Sequence, residues 1–392
     1  MSYVEEAGVE EAKVLAELRE ALREDFTYSS GRILGSMCTK PHRLAKMVFC
    51  RYLEKNLGDP GLFKATARLE REAVAMLAKL LSCPSDAGFI VSGGSEANLL
   101  ALWSAREGTG RRKVVAPATA HASIARAASV LKMELVEAPV NEEDVVDVGA
   151  VERLVDEDVA AVVGVAGSTS LGSVDPIAEL SEVALRCGAR LHVDAAFGGL
   201  VLPFLRELGY PVPDFDFKLP GVSSMTVDPH KMGMAPIPAG GILFRSWSLL
   251  EPLAAHLPYL SGGPATLFTV TGTRPGASAL AVWALFKHLG RQGYRRVVAR
   301  CMELTELLAS EVERLPGARL VRRPVMNVVG IAFEGLPAER VASKLRELGW
   351  AVSTVRGFVR VVVMPHVKLS HVSLFLRDLR TVLRELHGHY SR

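Results

Sequence analysis

The chain has 392 residues, 49% of them hydrophobic and 23% charged, with a formal net charge of +3. These values exclude a disordered, collagenous or coiled-coil chain, and the length exceeds what one hydrophobic core usually organises, so two domains are expected. The slight positive balance without a basic stripe argues against nucleic acid as a partner, and no run of about 18 apolar residues predicts a membrane span.

Two compositional details stand out. The chain holds 13 Lys against 33 Arg, one Gln and four Asn. Few thermolabile amides is a thermophile tendency, and the scarcity of Lys makes each one worth asking about. The five cysteines, Cys38, Cys50, Cys83, Cys187 and Cys301, are odd in number and form no CxxC pair. Free thiols in a reducing cytosol are expected, with no disulfide framework and no metal site. The first 20 residues are acidic and lack the basic and apolar stretches of a secretory signal, so a cytoplasmic location is expected.

In chain order, amphipathic helix patterns cover residues 9–24, 42–56 and 66–82. Short β-branched runs then alternate with helix patterns. Strands are expected at 88–91, 113–116, 134–137, 159–165, 190–194, 223–227 and 241–244, with helices at 96–106, 123–131 and 177–187. Such alternation predicts an α/β fold with a mostly parallel sheet covered on both faces. Helices follow at 275–289 and 294–315. A smaller α+β unit comes next, with strands at 327–333 and 358–363 and helices at 337–348 and 370–387. The expected organisation is an N-terminal helical segment (1–56), a large α/β domain (57–289) and a small C-terminal α+β domain (290–392).

Three short segments carry the chemistry. Ser92-Gly93-Gly94-Ser95-Glu96-Ala97-Asn98 follows a strand and opens a helix, so small residues there let backbone N–H groups approach an anion at a helix N-terminus. It is neither a dinucleotide fingerprint nor a Walker loop. In His192-Val193-Asp194-Ala195-Ala196-Phe197-Gly198-Gly199 an Asp closes a buried strand, where α/β sheets place ligands. A buried carboxylate needs a partner, and a protonated ring nitrogen would be one. In Asp228-Pro229-His230-Lys231-Met232-Gly233-Met234 one of the few lysines sits among apolar neighbours. An apolar pocket would lower its pKa and suit it to Schiff-base chemistry. Each segment alone has a plain structural reading. In this order on an α/β chain, they are the parts a pyridoxal 5′-phosphate (PLP) enzyme needs.

On these residues the chain resembles the pyridoxal-dependent decarboxylases of the glutamate/aromatic-amino-acid group. The segments 194–199 and Pro229-His230-Lys231 look like that group's signatures. The resemblance implies the PLP-dependent transferase fold type I, with a seven-stranded sheet flanked by helices. It implies Lys231 as the Schiff-base lysine, Asp194 at the pyridine nitrogen and His121 stacked on the ring. Gly94 and Ser95 would hold the phosphate with His230 close by, and Ser168-Thr169 would lie beside the cofactor. Likeness is greatest to the archaeal tyrosine/aspartate decarboxylases, through 33–42, 57–63 and 360–367. Gly272-Thr273-Arg274-Pro275-Gly276 is similar to the segment by which a partner subunit reaches the phosphate, which implies a homodimer with shared sites and a role for Thr273. The long mobile loop of the animal enzymes is replaced here by residues 258–270, where Tyr259 is the only Tyr.

The expected reaction is decarboxylation of an L-amino acid, with L-aspartate to β-alanine, feeding coenzyme A synthesis, preferred over L-tyrosine or L-glutamate. An acidic substrate wants a cationic partner, preferably a bidentate Arg. Arg356, Arg360, Lys40 and His42 are the candidates, with Tyr259 beside them. Two other classes stay open: a C–C lyase of the sphingosine-phosphate-lyase type, and a non-enzymatic PLP-binding regulator.

Overall fold

The computed structural model describes residue 4 and residues 6–388. Residues 1–3 and 5 of the expected N-terminal segment (1–56) lie outside them. Helix α1 (Glu11–Ala21) has no buried residue, whereas α2 (Arg43–Arg51) and α3 (Lys64–Leu80) pack against the body of the protein.

The chain then lays down β1 (Gly88–Val91), α4 (Gly94–Thr109), β2 (Lys113–Pro117), α5 (Ala122–Val130), β3 (Glu134–Ala138), α6 (Val148–Leu154) and β4 (Val159–Val165). It continues with α7 (Ile177–Cys187), β5 (Arg190–Asp194), α8 (Leu202–Glu207), β6 (Val222–Val227) and β7 (Gly240–Phe244). The seven strands form one sheet in the order β1-β7-β6-β5-β4-β2-β3. Only β7 runs against its neighbours, pairing antiparallel with both β1 and β6. All other neighbours are parallel, as the alternation of strands and helices predicted.

Every residue of β4, Val-Ala-Ala-Val-Val-Gly-Val, is buried. The period of two explains how: Val162 faces the core shared with α3, α7 and α8, while Ala161 and Val163 face the core under α4 and α5. A sheet covered on both faces leaves its strand ends as the open places. Val165, Asp194 and Asp228 therefore emerge together where β4, β5 and β6 finish, opposite the start of β7.

A two-stranded sheet of β8 (Ala255–Leu257) and β9 (Ala265–Leu267) precedes α9 (Gly276–Glu313). Gly290, at φ 54°, breaks α9 between the two helices the sequence predicts. The C-terminal part adds β10 (Ala318–Leu320), β11 (Val328–Phe333), α10 (Ala338–Glu347), β12 (Ser353–Val355), β13 (Phe358–Val362) and α11 (Leu369–Gly388). Its antiparallel sheet, ordered β10-β11-β13-β12, has its own core around Trp350 and Phe375, which Leu34 from the N-terminal segment joins. Periodicity does not signal α6, α8, the β8–β9 hairpin, β10 or β12, whose helices and strands span three to seven residues each. Among the described residues no helix is long and apolar enough to cross a membrane.

Candidate active site

A cavity of about 390 Å³ opens at the strand ends. Its walls bring together Gly94, Ser95, His121, Thr169, Asp194, His230 and Lys231, and add Met37, Asn98, Thr119, Phe197 and Asp228.

One end is the first turn of α4. The first helical bond is donated by Ala97 N–H to the Gly93 carbonyl, so the N–H groups of Gly94, Ser95 and Glu96 precede the ladder. Glu96 folds back to accept the Ser92 N–H at 2.8 Å. Glycine is required here: a Cβ on Gly94 would stand 2.9 Å from Asp228 Oδ2, and one on Gly240 would stand 2.4 Å from the Gly93 Cα. This close packing of β7 against the turn keeps helix N–H groups facing the cavity, a place suited to a phosphate. His230 lies beside it, its Nδ1 accepting the Ala239 N–H at 3.2 Å. Burial pushes the His230 pKa down, with Asp228 opposing.

The opposite end is Asp194. Its Oδ1 accepts the Ala196 N–H at 3.1 Å and its Oδ2 accepts from Asn98 Nδ2 at 2.9 Å. Asn98 is 1% exposed, and all four of its hydrogen-bonding positions are used. Its other amide hydrogen goes to Ser123 Oγ at 2.8 Å, and its carbonyl accepts from Thr226 Oγ1 at 2.7 Å and His192 Nε2 at 2.9 Å. With Nε2 donating, His192 Nδ1 accepts from Ser224 Oγ at 2.9 Å. Burial pushes the His192 pKa down to about 4 against the pull of Asp194, so the ring is neutral near pH 7. Ser123 Oγ also meets His121 Nδ1 at 2.9 Å, and the same nitrogen caps α5 by accepting the Ser123 N–H. One chain of hydrogen bonds thus fixes both the carboxylate and the imidazole.

Lys231 lies between these ends, with Nζ 3.1 Å from Asp228 Oδ2. Here the structure corrects the expectation from sequence. Met232, Met234 and Ala235 are buried as expected, but the amine faces carboxylates rather than an apolar pocket. Burial acts to lower the Lys231 pKa, and the attraction of Asp228 and Asp194 outweighs it, so the pKa is raised. Asp228 itself, which no sequence signal marks as a site residue, sits 2% exposed between Lys231 and His230.

Five other candidates, His42, Arg356, Tyr259, Thr273 and Lys40, do not line the cavity. His42 caps α2, accepting the Leu44 N–H at 3.2 Å, and packs its ring 5.4 Å from that of His288. Arg356, at φ 46°, is held by Asp144 at 2.6 Å and by the Ala118 carbonyl at 3.3 Å. Tyr259 is 75% exposed between β8 and β9. Thr273 is exposed, next to Arg274, which is buried and paired with Glu70. Lys40 bonds Ser29 at the surface. Arg360 is different. It is 8% exposed, its guanidinium donates to the Thr169 carbonyl at 2.6 Å and to the Gly35 carbonyl, and its Nε has no partner. No carboxylate among the described residues forms an ion pair with it, so a buried cation stands directly behind the cavity wall at Thr169.

The residues present fit PLP. A helix N-terminus offers an anion site, a carboxylate fixed from behind offers a ring-nitrogen partner, and an amine lies between them. Two buried oxygens of the wall, Thr119 Oγ1 and Asp228 Oδ1, also lack partners, as expected of a site shaped for a polar group.

Comparison with known proteins agrees. Residues 44–334 match the model of the pyridoxal-dependent decarboxylase conserved domain. The chain is 51% identical to the L-aspartate decarboxylase of Thermococcus kodakarensis, over 97% of this chain and 99% of that one. It is 50% identical to a probable L-tyrosine/L-aspartate decarboxylase of Methanothermobacter thermautotrophicus, over 92% of this chain and 100% of that one. Among solved structures, a sphingosine-1-phosphate lyase of Burkholderia pseudomallei superposes with a TM-score of 0.91 at 28% identity, covering 100% of this chain and 94% of that one. The chain belongs to the pyridoxal-dependent decarboxylase family and is a PLP-dependent amino acid decarboxylase of fold type I.

Proposed function

We propose that the substrate is L-aspartate and the products are β-alanine and carbon dioxide. The observation that carries this reading is the near full-length identity of 51% to an L-aspartate decarboxylase. The lyase likeness is much weaker at 28% and leaves decarboxylation the favoured chemistry. The β-alanine would feed coenzyme A synthesis in the cytoplasm.

In this reading the first turn of α4 at Gly94 and Ser95 would hold the cofactor phosphate with His230 close to it, and Thr169 would lie beside the cofactor. His121 would lie against the ring, Asp194 would hold the proton on the ring nitrogen, and Lys231 would bond the aldehyde carbon. Bound PLP supplies an electron-accepting ring that makes loss of carbon dioxide from Cα feasible. By keeping the ring nitrogen protonated, Asp194 would preserve the ring's capacity to accept the electron pair, and Asn98 keeps the carboxylate in place so that little reorganisation is needed. The bond from Cα to the carboxylate breaks, and Cα takes one proton in its place. Lys231, held by Asp228, would be positioned to supply that proton. Arg360, a buried cation behind the wall at Thr169 without a counter-charge, would draw a substrate carboxylate to that side of the cavity.

Tyr259 and Thr273 are proposed to serve the site of a second subunit. Their exposure supports a homodimer, as does an apolar groove beside them lined by Leu57, Phe89, Trp247 and Phe268. A sedimentation mass of a single 42.3 kDa chain in the active enzyme would contradict this. The broken helix at Gly290 supports the proposed boundary between a large domain ending at 289 and a small one beginning at 290.

The tyrosine reading remains second, since one relative at 50% identity carries both names. Measuring kcat/KM for aspartate, tyrosine and glutamate decides the order. Aspartate should lead by at least about tenfold; a lead for tyrosine would reject the proposal.

A further inference from the structure

A second cavity, of about 620 Å³, lies at the opposite end of the sheet. It opens where β5 begins at Arg190, four residues before Asp194 and so about 13 Å away along the strand. Three arginines line it, Arg111, Arg190 and Arg245, and none of its lining residues is Asp or Glu. Ser246 and Ser248 share the wall, and their hydroxyls, 2.7 Å apart, leave one O–H free to donate.

Two of the arginines have a structural task. Arg111 donates through Nη1 to the Val159 carbonyl at 3.1 Å and to the Cys187 carbonyl at 2.9 Å, closing the C-terminal end of α7. Arg245 donates through Nε to the Val222 carbonyl at 2.6 Å and through Nη2 to the carbonyls of Phe217 and Leu219. Both are held by carbonyls, Arg245 also over the Phe217 ring at 5.6 Å, and neither forms an ion pair among the described residues. Arg190 has no such task. Its side chain forms neither a hydrogen bond nor an ion pair among the described residues, yet it is half-buried beside Gly108, where a Cβ would stand 3.5 Å from its Nη2. Burial draws its pKa down with no acid to offset it.

Acidic residues are not scarce in this chain, with 43 against 46 basic ones. Three guanidinium groups gathered around one hollow without a carboxylate therefore lack a counter-charge that the protein could have supplied. Guanidinium forks match the oxygens of phosphate groups, and hydroxyls complete such sites. The hollow is also of the size that holds a small organic molecule, roughly 300–1,000 Å³. We propose that this cavity binds a small molecule bearing a diphosphate group, at a site separate from the cofactor's.

The test titrates inorganic pyrophosphate into the PLP-loaded enzyme by calorimetry at low ionic strength, with the phosphate cradle at α4 already filled. One saturable site per chain is expected, weakened at least tenfold in Arg190→Gln, with aspartate decarboxylation unchanged in that variant. Because the Arg190 side chain holds nothing in the fold, the variant should unfold at the wild-type temperature. A competing titration with ADP distinguishes the source: displacement of pyrophosphate identifies a nucleotide ligand, and its failure identifies the inorganic ion. Absence of saturable binding in the wild type, or equal affinity in Arg190→Gln, would overturn the proposal.

Discussion

In the proposed mechanism Asp194 and Lys231 carry the chemistry, and Asn98 behind Asp194 decides how firmly that carboxylate is held. Asn98 makes four hydrogen bonds in the interior, so truncating it orphans a donor or acceptor on each neighbour. Asn98→Ala should cost about 1–3 kcal/mol of stability per group left unpaired. Denaturant unfolding measures this, and the variant should also bind PLP more weakly. An unchanged unfolding midpoint would show that the network carries no weight. Arg360 makes a different prediction, because it holds two backbone carbonyls and has no carboxylate. Arg360→Met should raise KM for aspartate about 10–100-fold, the worth of a charged hydrogen bond. The absorption spectrum of bound PLP should persist. A lowered kcat with unchanged KM would remove Arg360 from substrate binding.

At the scale of elements, the turn from β1 into α4 shows why glycine recurs in the anion cradle. Gly94→Ala places a methyl 2.9 Å from the Asp228 oxygen that also holds Lys231. The carboxylate must move, so PLP affinity should fall at least about tenfold with little change in the far-ultraviolet spectrum; spectrophotometric titration with PLP tests this. An affinity equal to the wild type would mean that the cradle tolerates a side chain. Much of this element-level organisation is legible in the sequence. The run 159–165 and the strand ending at Asp194 emerge with the predicted bounds, the first because a strand buried on both faces needs apolar residues throughout. Helix α6 escapes notice because seven residues show too little periodicity, although Asp147, which accepts the Ala150 N–H at 3.0 Å, is a readable cap. Strands β10 and β12 are held by pairing with distant neighbours, which no local pattern records. The same limit applies to the site. Lys231, His230 and Asp194 stand out through their neighbours in sequence, but Asn98 and Asp228 acquire their roles only when α4, β5 and β6 converge. Arg360 is one cation among 33 Arg until burial without an acid singles it out.

For the whole molecule, the buried His192 links the site to stability. Its folded pKa is about 4 against an ordinary 6.5. Above pH 6.5 both folded and unfolded states hold it neutral. As pH falls from 6.5 to 4 the unfolded chain takes the proton first, so the native state loses stability, by at most on the order of 3 kcal/mol. Asp175 acts oppositely, since burial pushes its pKa up to about 6 and favours the folded state as pH falls. The two are separated by comparing thermal unfolding of the wild type and His192→Gln, in which Asp175 is common to both. The stability gap between them should narrow between pH 6.5 and 4, and a constant gap would show that His192 titrates normally in the fold. Two cores, one around the sheet and one around Trp350, frame the candidate site where strands β4, β5 and β6 end, and the proposed mechanism turns on Lys231. The most direct measurement follows carbon dioxide and β-alanine released from L-aspartate by the PLP-loaded wild type and by Lys231→Ala. Equal amounts of the two products are expected from the wild type, and neither turnover nor the visible absorption of the lysine-bound cofactor from the variant. Full turnover by Lys231→Ala, or aspartate consumed without release of carbon dioxide, would contradict the assignment.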